Sequence, residues 1–190
     1  MYGEPYASLA EMKDRFDIVD DDDDDKLERA ITAASTGVDR YCRRQFNRGA
    51  APEEREYDPI FPGLLFVDDI HDLDGLLIDG APLDTAAVRP EPIGGLRDGV
   101  PGWPYWKLRS RGRTGPRWSG PVRVTAWWGW AAVPAPVREA TAIAASEIFK
   151  TKDAPFGVAG WNDFGIITVR ENPQVKGLLN PYRRKGVRIA

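Results

Sequence analysis

Apolar residues recur at Leu27, Ala30, Ile31, Ala34, Val38 and Tyr41, the spacing of one face of a helix. A helix over about 24–44 is expected. The last of six consecutive aspartates, Asp20–Asp25, open it, and Arg40, Arg43 and Arg44 close it. Acid at the start and base at the end both suit the helix dipole. Upstream, Ser8-Leu9-Ala10-Glu11 has the form of a capping box and predicts a short helix over about 9–16. Pro134 and Pro136 suit a first helical turn. Val137, Ala140, Ala144 and Ile148 then share one face, so a third helix is expected over about 134–150. Asn172-Pro173 opens a last one over about 173–180, apolar at Val175, Leu178 and Leu179 and stopped by Pro181.

Between these helices the period changes. Phe66-Val67, Leu76–Ile78 and Ala86–Arg89 are short apolar pieces set among Asp, Gly and Pro, and read as short strands. Val122–Trp127 alternates cleanly and predicts a strand with one buried face. From Pro90 to Pro121, 13 of 32 residues are Gly or Pro, which predicts a long loop or extended hairpin with Tyr105–Arg109 as one arm. A Gly-containing loop is expected at Asp153–Gly165, and a short strand at Ile166–Arg170. The fold class is α+β, an α-helical bundle body with an inserted β/loop region. The expected division is 1–46 for the N-terminal helices, 47–121 for the insertion with its basic arm 90–121, and 122–190 for a strand, the C-terminal helices and a basic tail.

The chain has 190 residues, 42% of them hydrophobic, enough for a core. Its net charge of −3 hides a split. Residues 1–99 carry 11 basic and 24 acidic side chains; residues 100–190 carry 15 and 5. Such asymmetry suggests surfaces that need partners. One cysteine and one histidine leave no internal disulfide, no Cys-based zinc site and no two-His catalysis. The N-terminus lacks a basic start and an apolar run, so no signal peptide is expected. The longest uncharged stretch, Val124–Val137, is 14 residues with two prolines and is too short to span a bilayer. The chain reads as a soluble protein made in a cytosol.

Candidate chemistry is sparse. Asp20–Asp25 lacks the spaced ligands, Gly and Glu of a calcium loop, and reads as a solvated lead into a helix. His71 lies among Asp68, Asp69, Asp72 and Asp74 without a nucleophile motif or a second His. Cys42 sits among arginines without a Cys/His signature. The glycines form neither GxGxxG nor a P-loop. Catalytic, metal and cofactor residues are therefore not assigned. Binding candidates are clearer. Trp103, Tyr105, Trp106, Arg109, Arg111, Arg113 and Trp118 of the arm, with Tyr182, Arg183, Arg184, Lys185 and Arg188 of the tail, are of the types enriched at interfaces. The alternative is a nucleic-acid-binding module using 97–130, with arginine on phosphates and tryptophan on bases.

Two segments carry a resemblance. Leu9–Phe46 contains "Asp-Asp-Lys-Leu-Glu-Arg-Ala-Ile-Thr-Ala-Ala-Ser…Val-Asp-Arg-Tyr-Cys-Arg-Arg". Val133–Arg184 contains "Val-Pro-Ala-Pro-Val-Arg-Glu-Ala…Phe-Lys-Thr-Lys-Asp-Ala-Pro-Phe-Gly-Val-Ala-Gly" and then "Asn-Pro-Gln-Val-Lys-Gly-Leu-Leu-Asn-Pro-Tyr-Arg-Arg". With the order of elements, these resemble the head–tail connector (adaptor) proteins of long-tailed bacteriophages, most of all those of actinobacterial phages. The resemblance implies a structural virion protein of the neck, assembled in the host cytoplasm, without catalysis or cofactor. It implies a homo-oligomeric ring, commonly of twelve subunits. Such a ring sits under the portal protein, presents a surface to the next neck protein, the stopper, and extends the channel for genomic DNA. No membrane is involved. The segment 47–120 matches nothing in the resemblance.

Overall fold

A computed structural model describes residues 3–112, 115–150 and 161–184, with the side chains of 161–164 excepted. The chain divides into two compact units: a helical unit of residues 1–45 and 133–190, and a sheet unit of 46–132.

The helical unit holds α1 (Leu9–Phe16), α2 (Asp24–Cys42), α3 (Ala135–Lys150), α4 (Trp161–Glu171) and α5 (Pro173–Leu179). The capping box at α1 forms as its residues require. The Glu11 N–H donates to the Ser8 hydroxyl at 3.1 Å, and the Ser8 N–H donates to the Glu11 carboxylate at 2.9 Å. Along α2, Leu27, Ala30, Ile31, Ala34, Val38 and Cys42 are buried, and so are Ala33, Ser35 and Gly37 on a second face. Two apolar faces mean two neighbours, and α2 packs against both α3 and α4.

The strand expected at Ile166–Arg170 is instead the middle of α4. Ile166, Ile167, Thr168 and Val169 favour a strand locally, since branched side chains restrict the helix. Packing decides otherwise. A Cβ on Gly165 would lie 1.9 Å from the Ala33 carbonyl oxygen, and one on Gly37 would lie 2.4 Å from the Gly165 carbonyl carbon. The two helices cross backbone to backbone at these glycines. Gly165 and Val169 are buried four residues apart, while Ile167 and Arg170 are exposed, which is helical spacing. Of the loop expected at 153–165, positions 153–160 fall outside the described residues and 161–165 are helical.

The sheet unit is one antiparallel sheet. Its strands are β1 (Glu53–Tyr57), β2 (Leu64–Ile78), β3 (Ala81–Pro82), β4 (Val88–Glu91), β5 (Tyr105–Ser110) and β6 (Val122–Trp128). The order is β1-β6-β2-β5-β4, with β3 paired to β2. The alternation in β6 is as expected: Val122, Val124, Ala126 and Trp128 are buried. Hydrogen-bonded between β1 and β2, β6 lies within the sheet unit. The pieces at 66–67 and 76–78 are one strand interrupted by a bulge. Pairing jumps from Asp72↔Trp127 to Leu77↔Thr125. In the gap the Asp72 carboxylate accepts the Asp74 N–H at 3.0 Å, and Gly75 takes φ 69°. Leu65, Val67, Ile70, Leu76, Val88, Leu108 and Trp118 complete one core with the inner face of β6.

Candidate interaction surfaces

The basic, aromatic arm turns much of itself inward. Trp118 lies in the sheet core. Trp103 is also buried, 5.0 Å ring to ring from Trp130, which in turn lies 5.3 Å from Phe46. The Trp130 indole N–H donates to the buried Asp69 carboxylate at 3.1 Å. Trp106 packs edge-on to Trp103, and the Arg97 guanidinium lies over both rings at 5.7 and 4.5 Å. Tyr105 is half-buried against the core. Trp103 and Trp118, expected as outward contacts, are thus packed inside the sheet unit.

Two of the arm's cations, Lys107 and Arg109, are engaged within the sheet. Glu91 accepts from Arg109 at 2.8 Å and from Arg89 at 2.9 Å, with Lys107 at 3.6 Å. Partial burial works to raise the Glu91 carboxyl, but the bonds from Arg109 and Arg89 outweigh it and hold it below its ordinary value. Arg111 and Arg117 are exposed. Arg113 lies outside the described residues. Among the described residues of 97–130, Trp103, Trp118, Trp128 and Trp130 are buried, and Trp106 and Trp127 are partly covered.

At the C-terminal tail, residues 182–184 are tied to the end of α2. The Arg184 N–H donates to the Cys42 carbonyl at 2.8 Å, Arg183 lies 5.3 Å over the Tyr41 ring, and the Tyr41 hydroxyl donates to Asn180 at 2.7 Å. Tyr182 is half-buried, and burial raises its phenol. Lys185 and Arg188 lie outside the described residues.

The remaining candidates have local roles. Lys13 bridges Asp21 at 2.6 Å and Asp24 at 2.8 Å, and Lys26 meets Asp23 at 2.9 Å, so part of the aspartate run is neutralised in place. His71 Nδ1 lies 3.1 Å from the Trp127 carbonyl oxygen; burial first, then Arg48, holds its pKa below the usual value. Burial pushes the Cys42 thiol up to about 12, so it is no nucleophile. Among the described residues no group of three or more His, Cys, Asp or Glu could hold a metal ion, and no helix is long and apolar enough to cross a membrane.

An open cleft escaped the sequence. Phe61, Pro62, Leu64, Arg109, Ser110 and Arg117 line about 400 Å³ at one end of the sheet. Nothing in the spacing of these residues marks it, because β2–β5 pairing brings positions 45 apart together.

Residues 6–61 match the model of the family described as phage gp6-like head-tail connector protein. Among solved structures, a chain from "Neck of empty GTA particle computed with C6 symmetry" shares the fold, with a TM-score of 0.54 at 16% identity. The match covers 96% of this chain and 91% of that one. No curated protein matches the sequence. The family matched over 6–61 is one of structural connector proteins. Over that N-terminal segment the chain is similar to gp6-like head–tail connectors, and over nearly its whole length it shares the fold of a neck chain.

Proposed function

We propose that copies of this chain close into a ring in the neck, between the portal of the filled head and the next neck protein, the stopper. The ring extends the channel through which the genome passes, without sequence-specific DNA contacts. The observation that carries this reading is the family match over 6–61, where α1 and α2 lie. The shared fold with a neck chain supports it. Twelve subunits, the number the sequence resemblance implies, is a multiple of the six-fold symmetry applied to that neck. Head-to-tail contacts join two different patches of one chain and generate closed rings. The tail 182–190 is the candidate portal contact, the arm 97–120 the candidate contact to neighbouring subunits, and Asp20–Asp25 the candidate lumen lining. The narrower kinship with actinobacterial phages finds no support in the comparisons.

Electron microscopy of particle necks tests the reading. Particles made without this chain should accumulate as filled heads lacking tails. Particles carrying a tagged chain should show a labelled ring directly below the portal. Complete, tailed particles assembled without the chain would overturn it.

A further inference from the structure

The loop between β4 and β5 is a preformed apolar knob. It displays Ile93, Leu96 and Val100 at 65%, 52% and 55% exposure. Three large apolar side chains within eight residues mark a contact surface rather than a solvated loop. The backbone is fixed. Arg97 and Val100 exchange both hydrogen bonds, at 3.0 and 2.8 Å, around Asp98 (φ 52°) and Gly99 (φ 79°). Two successive left-handed residues are what a tight type I′ hairpin turn requires. Arg97 stacked on Trp103, and the Trp103 N–H donating to the Gly95 carbonyl at 2.9 Å, brace its base. A loop ordered before its partner arrives loses little entropy on binding. At its tip, between Leu96 and Val100, the Asp98 side chain is 88% exposed, with one oxygen 3.6 Å from Arg97 Nε and the carboxylate otherwise open to a second cation.

The open cleft supplies the complement. Phe61 and Leu64 give it apolar wall, with Phe61 52% exposed. Arg109 is held by Glu91, whereas Arg117 is exposed and has no ion pair among the described residues. Strand register sets the two features apart. Leu64↔Arg109 and Val88↔Ser110 lie at the cleft, while Glu91↔Lys107 and Ile70↔Tyr105 lie toward the knob. They occupy opposite ends of β5, about 17 Å apart at 3.4 Å per residue. A copy cannot seat its own knob in its own cleft.

We propose that loop 93–100 of one copy docks in the cleft of a second copy. Leu96 and Val100 pack on Phe61 and Leu64, and Asp98 faces Arg117. A positive, partly apolar cleft and a negative, apolar-flanked knob on the same chain point to a second copy as the occupant. Knob and cleft are different patches, so the contact is heterologous and propagates around a ring. The inference rests on the ring reading above and supplies its subunit contact.

The test places the photo-crosslinker p-benzoylphenylalanine at position 100 of the full chain in assembled particles. Irradiated necks should yield a ladder of covalently joined copies, with position 100 mapped to residues 61–64, 109–112 or 117. A product with the portal or the next neck protein, a junction elsewhere on the chain, or no product from necks that contain the chain overturns the docking and leaves the ring reading standing. Absence of the chain from purified necks overturns both. In a second arm, Arg117→Asp should cut the ladder about tenfold, and adding Asp98→Lys should restore it. Failure of that rescue, with the chain still in the neck, overturns the Asp98–Arg117 pairing.

Discussion

Gly165 sets how near α4 can come to α2. In an exposed helix, Gly→Ala gains about 1 kcal/mol. At Gly165 the new Cβ would meet a backbone oxygen at 1.9 Å, and no rotamer relieves a backbone clash. Overpacking costs about 1–3 kcal/mol, and a contact this short belongs at the upper end. Gly165→Ala should therefore destabilise by about 2 kcal/mol in urea denaturation followed by circular dichroism. Gly177 in α5 is the control: nothing lies within 4 Å of its Cβ site, so Gly177→Ala should be neutral or stabilising. Asp39 makes a second residue-level prediction. Burial pushes its carboxyl up to about 6, against the Tyr6 hydroxyl, which donates to it and lowers it. The folded state then holds a proton that the unfolded state has lost, so stability falls as pH rises from about 4 to 6. Asp39→Asn should remove this slope, worth about 1–2 kcal/mol after solvent screening of a half-buried group. Equal slopes for both proteins would show that Asp39 titrates normally.

At the scale of elements, the sheet protects its edges. Glu53, Glu54 and Glu56 line the edge strand β1. On β4, the Arg111 N–H bonds the Ala87 carbonyl at 2.7 Å, which sets the alternation: Arg89 and Glu91 face β5, and the Pro90 nitrogen faces outward. An edge of charges and an edge lacking a donor both discourage strand-to-strand addition. The triple variant Glu54→Val, Glu56→Val, Pro90→Val should aggregate, with light scattering that rises with concentration while the parent stays clear. The same elements show what a sequence reveals. The helix starts at 9, 24 and 173 were legible because Ser8, the aspartates and Asn172-Pro173 act within one turn. β1 was not, since Glu53-Glu54-Arg55-Glu56-Tyr57 is too polar to signal burial, and its pairing partners lie about 70 positions downstream. α4 was misread because its branched residues carry the local signal while Gly165 carries the decisive contact. The candidate aromatics were legible as contact-forming, but only the fold shows that Trp103 and Trp118 make their contacts inside.

At the scale of the whole molecule, the charge split takes a different form. Counted by unit, the helical unit holds 16 basic and 17 acidic residues and the sheet unit 10 and 12. Both are close to neutral, because each contains early acid and late base. Glu11 meets Arg138 at 2.8 Å in the first, and Glu91 meets Arg109 at 2.8 Å in the second. The opposed halves of the sequence are thus not the two units of the fold, and in the docking proposed above local features such as Asp98 and Arg117 carry the complementarity between copies. The split also exposes an order of events during synthesis. The sheet unit is continuous from 46 to 132, whereas the helical unit needs residues on both sides of it. α3 and α4, the neighbours of α2, begin at 135 and 161. At roughly 5–20 residues per second, α2 leaves the ribosome on the order of ten seconds before they do. During that interval the faces of α2 that meet α3 and α4 have no native cover, and the sheet is free to fold first. The newborn chain therefore carries α2 with its α3 and α4 faces open until the sheet unit has been made.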